Sequence, residues 1–172
     1  ATGGGITIHD TVRGHYWMMN RVFERFGIKL DIQADRIVLP SGQTPRIQPD
    51  AGGAVPQVDD GPWPQFPTDM MSPFLVLATQ SEGTILFFEK MFEGRMFFTD
   101  SLIAMGASII LCDPHRIVVV GPSQLYGTQL ESPDVRAGMA LLIASLAAKG
   151  TSTIYNVRQI DRGYECIEEK LQ

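Results

Sequence analysis

The sequence has little of what metal-binding, disulfide-bonded or membrane-spanning proteins need. Its two cysteines, Cys112 and Cys166, lie far apart and form no Cys-x-x-Cys pattern, which predicts buried, reduced thiols rather than a disulfide framework or a zinc site. Its three histidines share no ligand spacing, so we expect no bound metal. No apolar run approaches the roughly 20 residues that cross a bilayer, so we expect no membrane partner.

Basic residues are also scarce. Fourteen Lys and Arg against 19 Asp and Glu give a formal net charge of -5. Because affinity for a phosphate backbone is built from clustered Lys and Arg, this balance argues against a general nucleic-acid binder. The segment Ala1–Gly5 has neither the basic nor the apolar region of a signal peptide, so we expect a cytoplasmic protein. A chain of 172 residues with 44% apolar residues predicts one globular domain.

Proline and glycine are concentrated in one stretch, residues 40–67. Because proline removes a backbone donor and fixes φ, this stretch is predicted to be a connection without a central strand or a long helix. Trp63 and Phe66 are predicted to hold its distal end to the core. An apolar helix then runs to about Ser81, and its first turn begins at Asp69 or at Ser72, where Ser72–Pro73 offers a cap and a favoured first-turn proline.

Helix, glycine and hairpin recur along the chain. Apolar residues at helical spacing are followed by a glycine, a favoured helix end, and then by two alternating strands. A buried strand over residues 84–88 precedes the second of these helices. The two copies are helix 12–26, Gly27 and hairpin 28–39, and helix 96–105, Gly106 and hairpin 107–120.

A third copy begins at Asp134. It has an apolar helix over residues 139–148, a strand at 153–155, a loop at 160–163 and a last helix at 164–171. The repeat predicts a glycine and a hairpin next, so we expect other parts of the parent protein to complete the shared core. The unit strand-helix-strand-helix-strand-strand predicts an α/β fold packed around a common axis.

Charged residues recur where the repeated helices begin. If the copies are related by rotation, these junctions lie at one end of the domain and their side chains converge. Arginine binds phosphate or carboxylate with two donors, and a carboxylate beside a sugar hydroxyl can accept its proton. The alternative is that the aspartates only cap helices and the arginines lie paired or solvated on the surface. The set is Asp69, Arg95, Asp134, Arg136 and Arg162.

Four motifs at these junctions resemble the enolpyruvyl transferases. They are Phe66–Met70, Phe92–Arg95, Pro133–Ala137 and Ile160–Leu171, in the family's order. The resemblance implies two similar domains, each an inside-out α/β barrel of three repeated units, with the active site between them. It places this chain in the domain formed mainly by the C-terminal half, as a single domain and one half of a two-domain enzyme.

The resemblance implies a reaction as well as a fold. The reaction is transfer of the enolpyruvyl group of phosphoenolpyruvate to the 3-hydroxyl of UDP-N-acetylglucosamine, in peptidoglycan synthesis and without a cofactor. The family's general-acid loop has no counterpart here, so the isolated chain is expected to be inactive. Two alternatives stay open, a transferase of the shikimate pathway with the same fold and a paralogue that binds UDP-sugars without catalysis.

The resemblance also implies roles for individual residues. Asp69 corresponds to the catalytic base at the sugar hydroxyl. One notable departure from the family is Gly94, where asparagine is usual. The implied substrate-binding residues are Asp69, Met91, Arg95, Asp134, Arg136 and Arg162. In that set Met91 contacts the UDP-sugar through its backbone, Arg136 and Arg162 lie near the phosphoenolpyruvate anion, and Asp134 and Arg95 support them.

Overall fold

The fold is given by a computed structural model that describes residues 1–171. The first repeat unit contains β1 (Ile6–His9), α1 (Trp17–Arg25), β2 (Asp31–Ile32) and β3 (Arg36–Leu39). Its sheet has the order β1-β3-β2, and both pairings are antiparallel. The α-helix begins later than predicted because Gly14, a poor helix former, lies in a preceding 3₁₀ turn.

The second unit has the predicted order strand-helix-strand-helix-strand-strand. Its sheet has the order β4-β5-β7-β6, with β4 parallel to β5 and the other pairings antiparallel. The predicted hairpin of β6 and β7 is therefore confirmed. The elements are β4 (Gln57–Asp59), α2 (Met71–Thr79), β5 (Gly83–Phe88), α3 (Thr99–Ala104), β6 (Ser108–Asp113) and β7 (Arg116–Gly121).

The third unit consists of β8 (Gln129–Glu131), α4 (Val135–Ala147), β9 (Thr153–Tyr155), α5 (Arg158–Asp161) and α6 (Ile167–Lys170). Strands β8 and β9 are parallel, as β4 and β5 are. The order β1-β3-β2 in the first unit likewise matches β5-β7-β6 in the second. The three units therefore share one plan.

The helices α2 and α4 lie inside this arrangement. Every residue of α2 except Pro73 is buried, and α2 packs against α4 and β7. A helix that is apolar on all sides is stable only when its whole circumference is covered. Sheets outside and apolar helices inside are the predicted inside-out α/β arrangement, and its placement brings the starts of α2 and α4 together.

Residues 40–67 contain more structure than the proline pattern predicts. The strand β4 lies within them, between Pro56 and Pro62, and it pairs with β5 at the edge of the sheet. Prolines flank this strand without interrupting it, so the pattern correctly excludes a central strand but misses an edge strand.

Trp63 and Phe66 differ in their contacts. Phe66 is buried, and its ring centroid lies 5.1 Å from that of Phe74, as the prediction of a core anchor requires. Trp63 is 67% exposed, and its ring packs edge-on against that of Trp17 with 6.0 Å between the ring centroids. Its prediction as a core anchor is therefore wrong. Only the phenylalanine reaches the apolar interior.

Four further predictions are corrected by the structure. Ser72 does not cap α2, because a 3₁₀ turn at Thr68–Met70 leads directly into the helix and Ser72 lies buried inside it. The predicted loop 160–163 overlaps the end of α5, and the predicted helix 164–171 is shortened to α6 because Cys166 has a left-handed backbone with φ 47°. Both cysteines are exposed rather than buried.

None of the helices within residues 1–171 is both long and apolar enough to cross a membrane.

Candidate active site

Asp69 lies in the 3₁₀ turn before α2, and its side chain is 57% exposed. It makes no capping bond to the helix. Its Oδ1 atom accepts a hydrogen bond from Arg136 Nε and lies 3.7 Å from Arg95 Nη1. The structure therefore brings one predicted carboxylate together with two of the three predicted arginines.

Asp134 has a different role in the structure. Its backbone is extended, with φ -155°, and its Oδ1 accepts from Arg136 N at 2.7 Å and Ala137 N at 3.0 Å. This is the geometry of a helix N-cap. Capping thus applies to Asp134 and not to Asp69, and it fixes the first turn of α4, which carries Arg136 toward Asp69.

Removal of this cap has a predictable cost. Asp134→Ala is expected to lower the free energy of unfolding by about 1 kcal/mol, because two N–H groups lose their acceptor. Denaturant unfolding measures the loss. Asp134→Asn keeps a capping oxygen and is expected to lose much less, so equal losses in the two variants would contradict the capping role.

Arg95 is the most enclosed of the site arginines, with a side chain only 16% exposed. Its Nη1 donates to Thr68 Oγ1 at 2.5 Å, and its guanidinium carbon lies 4.0 Å from the ring centroid of Phe92. The preceding Gly94 has φ 76°. Glycine and asparagine are the residues that adopt positive φ most readily, so this loop shape accommodates either.

Arg162 lies at the same end of the molecule but apart from Asp69. It follows α5, and within residues 1–171 its exposed guanidinium makes no hydrogen bond or ion pair. The next residue, Gly163, packs so closely on the start of α4 that a Cβ there would lie 2.5 Å from Val135 Cγ2. This contact holds Arg162 beside the site with its charge available to a ligand.

Met91 is exposed, as a ligand contact requires. Its backbone N–H donates to Glu89 Oε1 at 3.1 Å, so a ligand would meet the carbonyl oxygen of Met91 rather than its amide. The loop that contains Met91 is therefore held from the protein interior by Glu89, a residue outside the predicted set.

Sequence reasoning misses this buried acid, Glu89, and its neighbour Asp60. Both are fully buried, and burial together with the nearby Asp60 carboxylate raises the pKa of Glu89 to about 7. A signal was present in the strand pattern. Ile85 and Phe87 are the buried positions of β5, and Glu89 continues their period of two onto the same inner face.

The site is dominated by cations around one carboxylate. The hydrogen bond from Arg136 to Asp69 raises the pKa of Arg136, so its guanidinium stays charged. Within the described part of the chain, no group of three or more His, Cys, Asp or Glu side chains is arranged to hold a metal ion. What the arrangement can do is bind an anion and accept a proton at Asp69.

Known proteins are similar to this chain in sequence and fold. The family model of EPSP synthase (3-phosphoshikimate 1-carboxyvinyltransferase) matches residues 1–171. The UDP-N-acetylglucosamine 1-carboxyvinyltransferase of Bradyrhizobium diazoefficiens is 60% identical over 149 residues, which cover 87% of this chain and 35% of that protein. The enzyme of the same name from Borreliella burgdorferi is 53% identical over 170 residues, 99% of this chain and 40% of that protein.

Solved structures agree. The enolpyruvyl transferase NikO from Streptomyces tendae superposes with a TM-score of 0.81 at 26% identity, over 97% of this chain and 37% of its own. EPSP synthase from Acinetobacter baumannii superposes with a TM-score of 0.71 at 16% identity, over 98% of this chain and 40% of its own. At this identity the likeness is one of fold alone.

The chain spans about two-fifths of the length of the curated relatives that it matches. Over that span the agreement in sequence and fold is continuous, and the predicted resemblance and fold class are confirmed. The chain belongs to the EPSP synthase (3-phosphoshikimate 1-carboxyvinyltransferase) family.

Proposed function

We propose that this chain is part of an enzyme that transfers the enolpyruvyl group of phosphoenolpyruvate to the 3-hydroxyl of UDP-N-acetylglucosamine, a cytoplasmic step of peptidoglycan synthesis. The names of its relatives, UDP-N-acetylglucosamine 1-carboxyvinyltransferase, support this substrate pair. The observation that carries the proposal is the placement of Asp69 between Arg95 and Arg136 at the adjoining starts of α2 and α4.

Asp69 acts as the general base in this proposal. Within residues 1–171 both of its arginine contacts use Oδ1, which leaves Oδ2 to accept the proton of the sugar hydroxyl. The hydroxyl oxygen adds to C2 of phosphoenolpyruvate while an acid protonates C3. Loss of a proton from C3 and departure of phosphate then restore the double bond.

The arginines hold the anionic reactant and intermediate. Arg136 and Arg162 are assigned to phosphoenolpyruvate, with Arg95 and Asp134 in support and the Met91 carbonyl toward the UDP-sugar. The positive ends of the α2 and α4 dipoles add to the field at the same place. Such preorganised charge stabilises a developing anion without the reorganisation that water would require.

Arg162 provides a direct test of anion binding. In the full-length gene product, Arg162→Ala is expected to raise the KM for phosphoenolpyruvate by about 10- to 100-fold, because a charge-assisted hydrogen bond contributes roughly 1.5–3 kcal/mol. Steady-state kinetics measures this change. Arg158→Ala removes an exposed arginine from α5, the short helix directly before Arg162, and a comparable rise in KM there would refute the assignment.

We further propose that residues 1–172 form one enolpyruvyl transferase-like domain and that a second domain supplies the general acid. Only the second repeat unit shows all six elements within residues 1–171. Within the same described residues, the first unit shows no counterparts of β4 and α2, and the third shows none of β6 and β7. The chain by itself is expected to have no turnover, since cleft closure needs both domains.

The test is an assay of phosphate release by the full-length gene product. With phosphoenolpyruvate and UDP-N-acetylglucosamine we expect phosphate and the enolpyruvyl ether of the sugar nucleotide. With shikimate 3-phosphate as acceptor we expect neither. Transfer to shikimate 3-phosphate alone would support the shikimate alternative, and tight binding of the UDP-sugar without turnover would support a non-catalytic paralogue.

A further inference from the structure

Two buried carboxyl groups lie beneath the proposed site because of strand register. Strands β4 and β5 run parallel, with Asp59 opposite Phe88. The residue that directly follows each strand is acidic, so Asp60 and Glu89 leave the sheet side by side. Both are fully buried, and such a pair is costly unless its oxygens find donors.

Glu89 connects the two segments that carry the proposed substrate contacts. Its Oε1 accepts from the backbone N–H groups of Met91 and Phe92, both at 3.1 Å. The Thr68 hydroxyl lies 3.1 Å from Oε1 and 3.0 Å from Oε2. Because this hydroxyl accepts from Arg95 Nη1, its own proton points to Glu89.

One oxygen of the pair lacks a donor when both groups are ionised. Asp60 Oδ1 accepts from Lys90 N at 2.5 Å, but Asp60 Oδ2 is buried and has no partner among the described residues. Glu89 Oε1 already receives two N–H groups, which leaves Oε2 as the place for a proton. One proton shared between the two carboxyl groups would remove this unpaired acceptor.

We propose that Glu89 is a positioning residue for the reaction. When Glu89 is protonated on Oε2, it donates a hydrogen bond to Asp60. Its contacts then fix the position of the Asp69 turn relative to the Met91 loop. This inference rests on the proposed function. Glu89 touches no substrate in this assignment and acts through Thr68, Arg95 and the backbone of the loop.

The surrounding charges support a shared proton near neutral pH. Burial and the Asp60 carboxylate raise the pKa of Glu89 to about 7, although Thr68 and Arg95 act in the opposite direction. On the other sides, the His115 ring approaches the carbonyl oxygen of Glu89 at 2.7 Å, and the Lys90 ammonium pairs with Asp59. Above pH 7 the proton leaves, and two adjacent carboxylates repel each other.

Glu89→Gln tests whether Glu89 acts as a neutral hydrogen-bond donor, because glutamine has the shape of the protonated acid but cannot ionise. The amide oxygen can accept from the loop N–H groups, while the amide NH₂ can donate to Asp60 Oδ2 as the protonated acid does. In the full-length gene product we expect kcat and KM near the wild-type values below pH 7. We also expect the decline of kcat above pH 7 that this group causes to disappear. Glu89→Ala is expected to lower kcat/KM by about 10-fold or more.

Glu93→Gln is the matched control, because Glu93 is an exposed glutamate in the same loop. It is expected to leave both the kinetic constants and the pH profile unchanged. A loss of activity in Glu89→Gln equal to that in Glu89→Ala would overturn the shared proton. Unchanged kinetics in a folded Glu89→Ala would overturn the positioning role.

A second readout does not depend on activity. The folded pKa of Glu89 is raised above its usual value, so its stabilising contribution is complete below about pH 4.5 and is lost as the pH rises through about 7. The Tm of the wild type should therefore fall relative to that of Glu89→Gln over this range. Parallel Tm profiles would overturn the shared proton, whereas absent turnover in a wild type with the expected Tm profile would refute only the proposed function.

Discussion

Asp69→Asn in the full-length gene product is expected to lower kcat for enolpyruvyl transfer by about 10²- to 10⁴-fold, the usual contribution of a general base. The amide has almost the same shape as the carboxylate but cannot accept the proton of the sugar hydroxyl. Asp69 is itself exposed, and its ion pair with Arg136 contributes at most about 1 kcal/mol to stability. The asparagine oxygen can still accept from both arginines, so the fold should persist. Single-turnover kinetics with phosphate detection measures the chemical step.

Asp50→Asn provides the control for this prediction. Asp50 is also exposed and also pairs with an arginine, Arg25 at 3.1 Å, but it lies outside the site. Its replacement should leave kcat unchanged. Wild-type turnover in Asp69→Asn would exclude Asp69 as the base, and an equal loss in both variants would assign the effect to general loss of charge.

Local patterns in the sequence locate most of the repeat units. Helical spacing followed by glycine and alternating strands identifies α1 with β2 and β3, and α3 with β6 and β7. Each of these hairpins pairs residues that are close in sequence, so its signal lies within one short window. The predicted rotation of such units also brings Asp69 and Arg136 together, 67 residues apart.

Strands β4 and β8 lie beyond the reach of local patterns. Each has only three residues, and each pairs in parallel with a strand on the far side of a helix, as in Val58 with Phe87 and Leu130 with Ile154. Their stability comes from this distant pairing rather than from their own composition. The prolines around β4 therefore predict a plain connection where an edge strand forms.

Some features of the site follow from neighbouring residues in the sequence, and others follow only from contacts between distant segments. The capping role of Asp134 is local, since an aspartate directly precedes an apolar helix. The inward direction of Glu89 follows from the period of two in β5. Its pairing with Asp60 does not, because it depends on the register between two strands separated by α2. Buried polar partners of this kind require the tertiary fold.

Gly121→Ala is expected to lower the free energy of unfolding by about 3 kcal/mol or more, the upper range for overpacking. A Cβ at this position would lie 2.3 Å from Ser81 O, 2.5 Å from Ala78 O and 3.2 Å from Thr79 O. These are backbone oxygens at the end of the buried helix α2, so no side-chain rotation can relieve the clash. Either β7 or the end of α2 must move, and both belong to the core.

Gly14→Ala separates this packing effect from the loss of glycine as such. Among the described residues, a Cβ at Gly14 would meet no atom within 4 Å beyond its chain neighbours. Its replacement should be neutral or stabilising by up to about 1 kcal/mol, because alanine restricts the unfolded chain more than glycine does. Denaturant unfolding of both variants compares the two effects directly. Similar unfolding free energies for Gly121→Ala and Gly14→Ala would refute the close approach of β7 to α2, on which the enclosure of the inner helices depends.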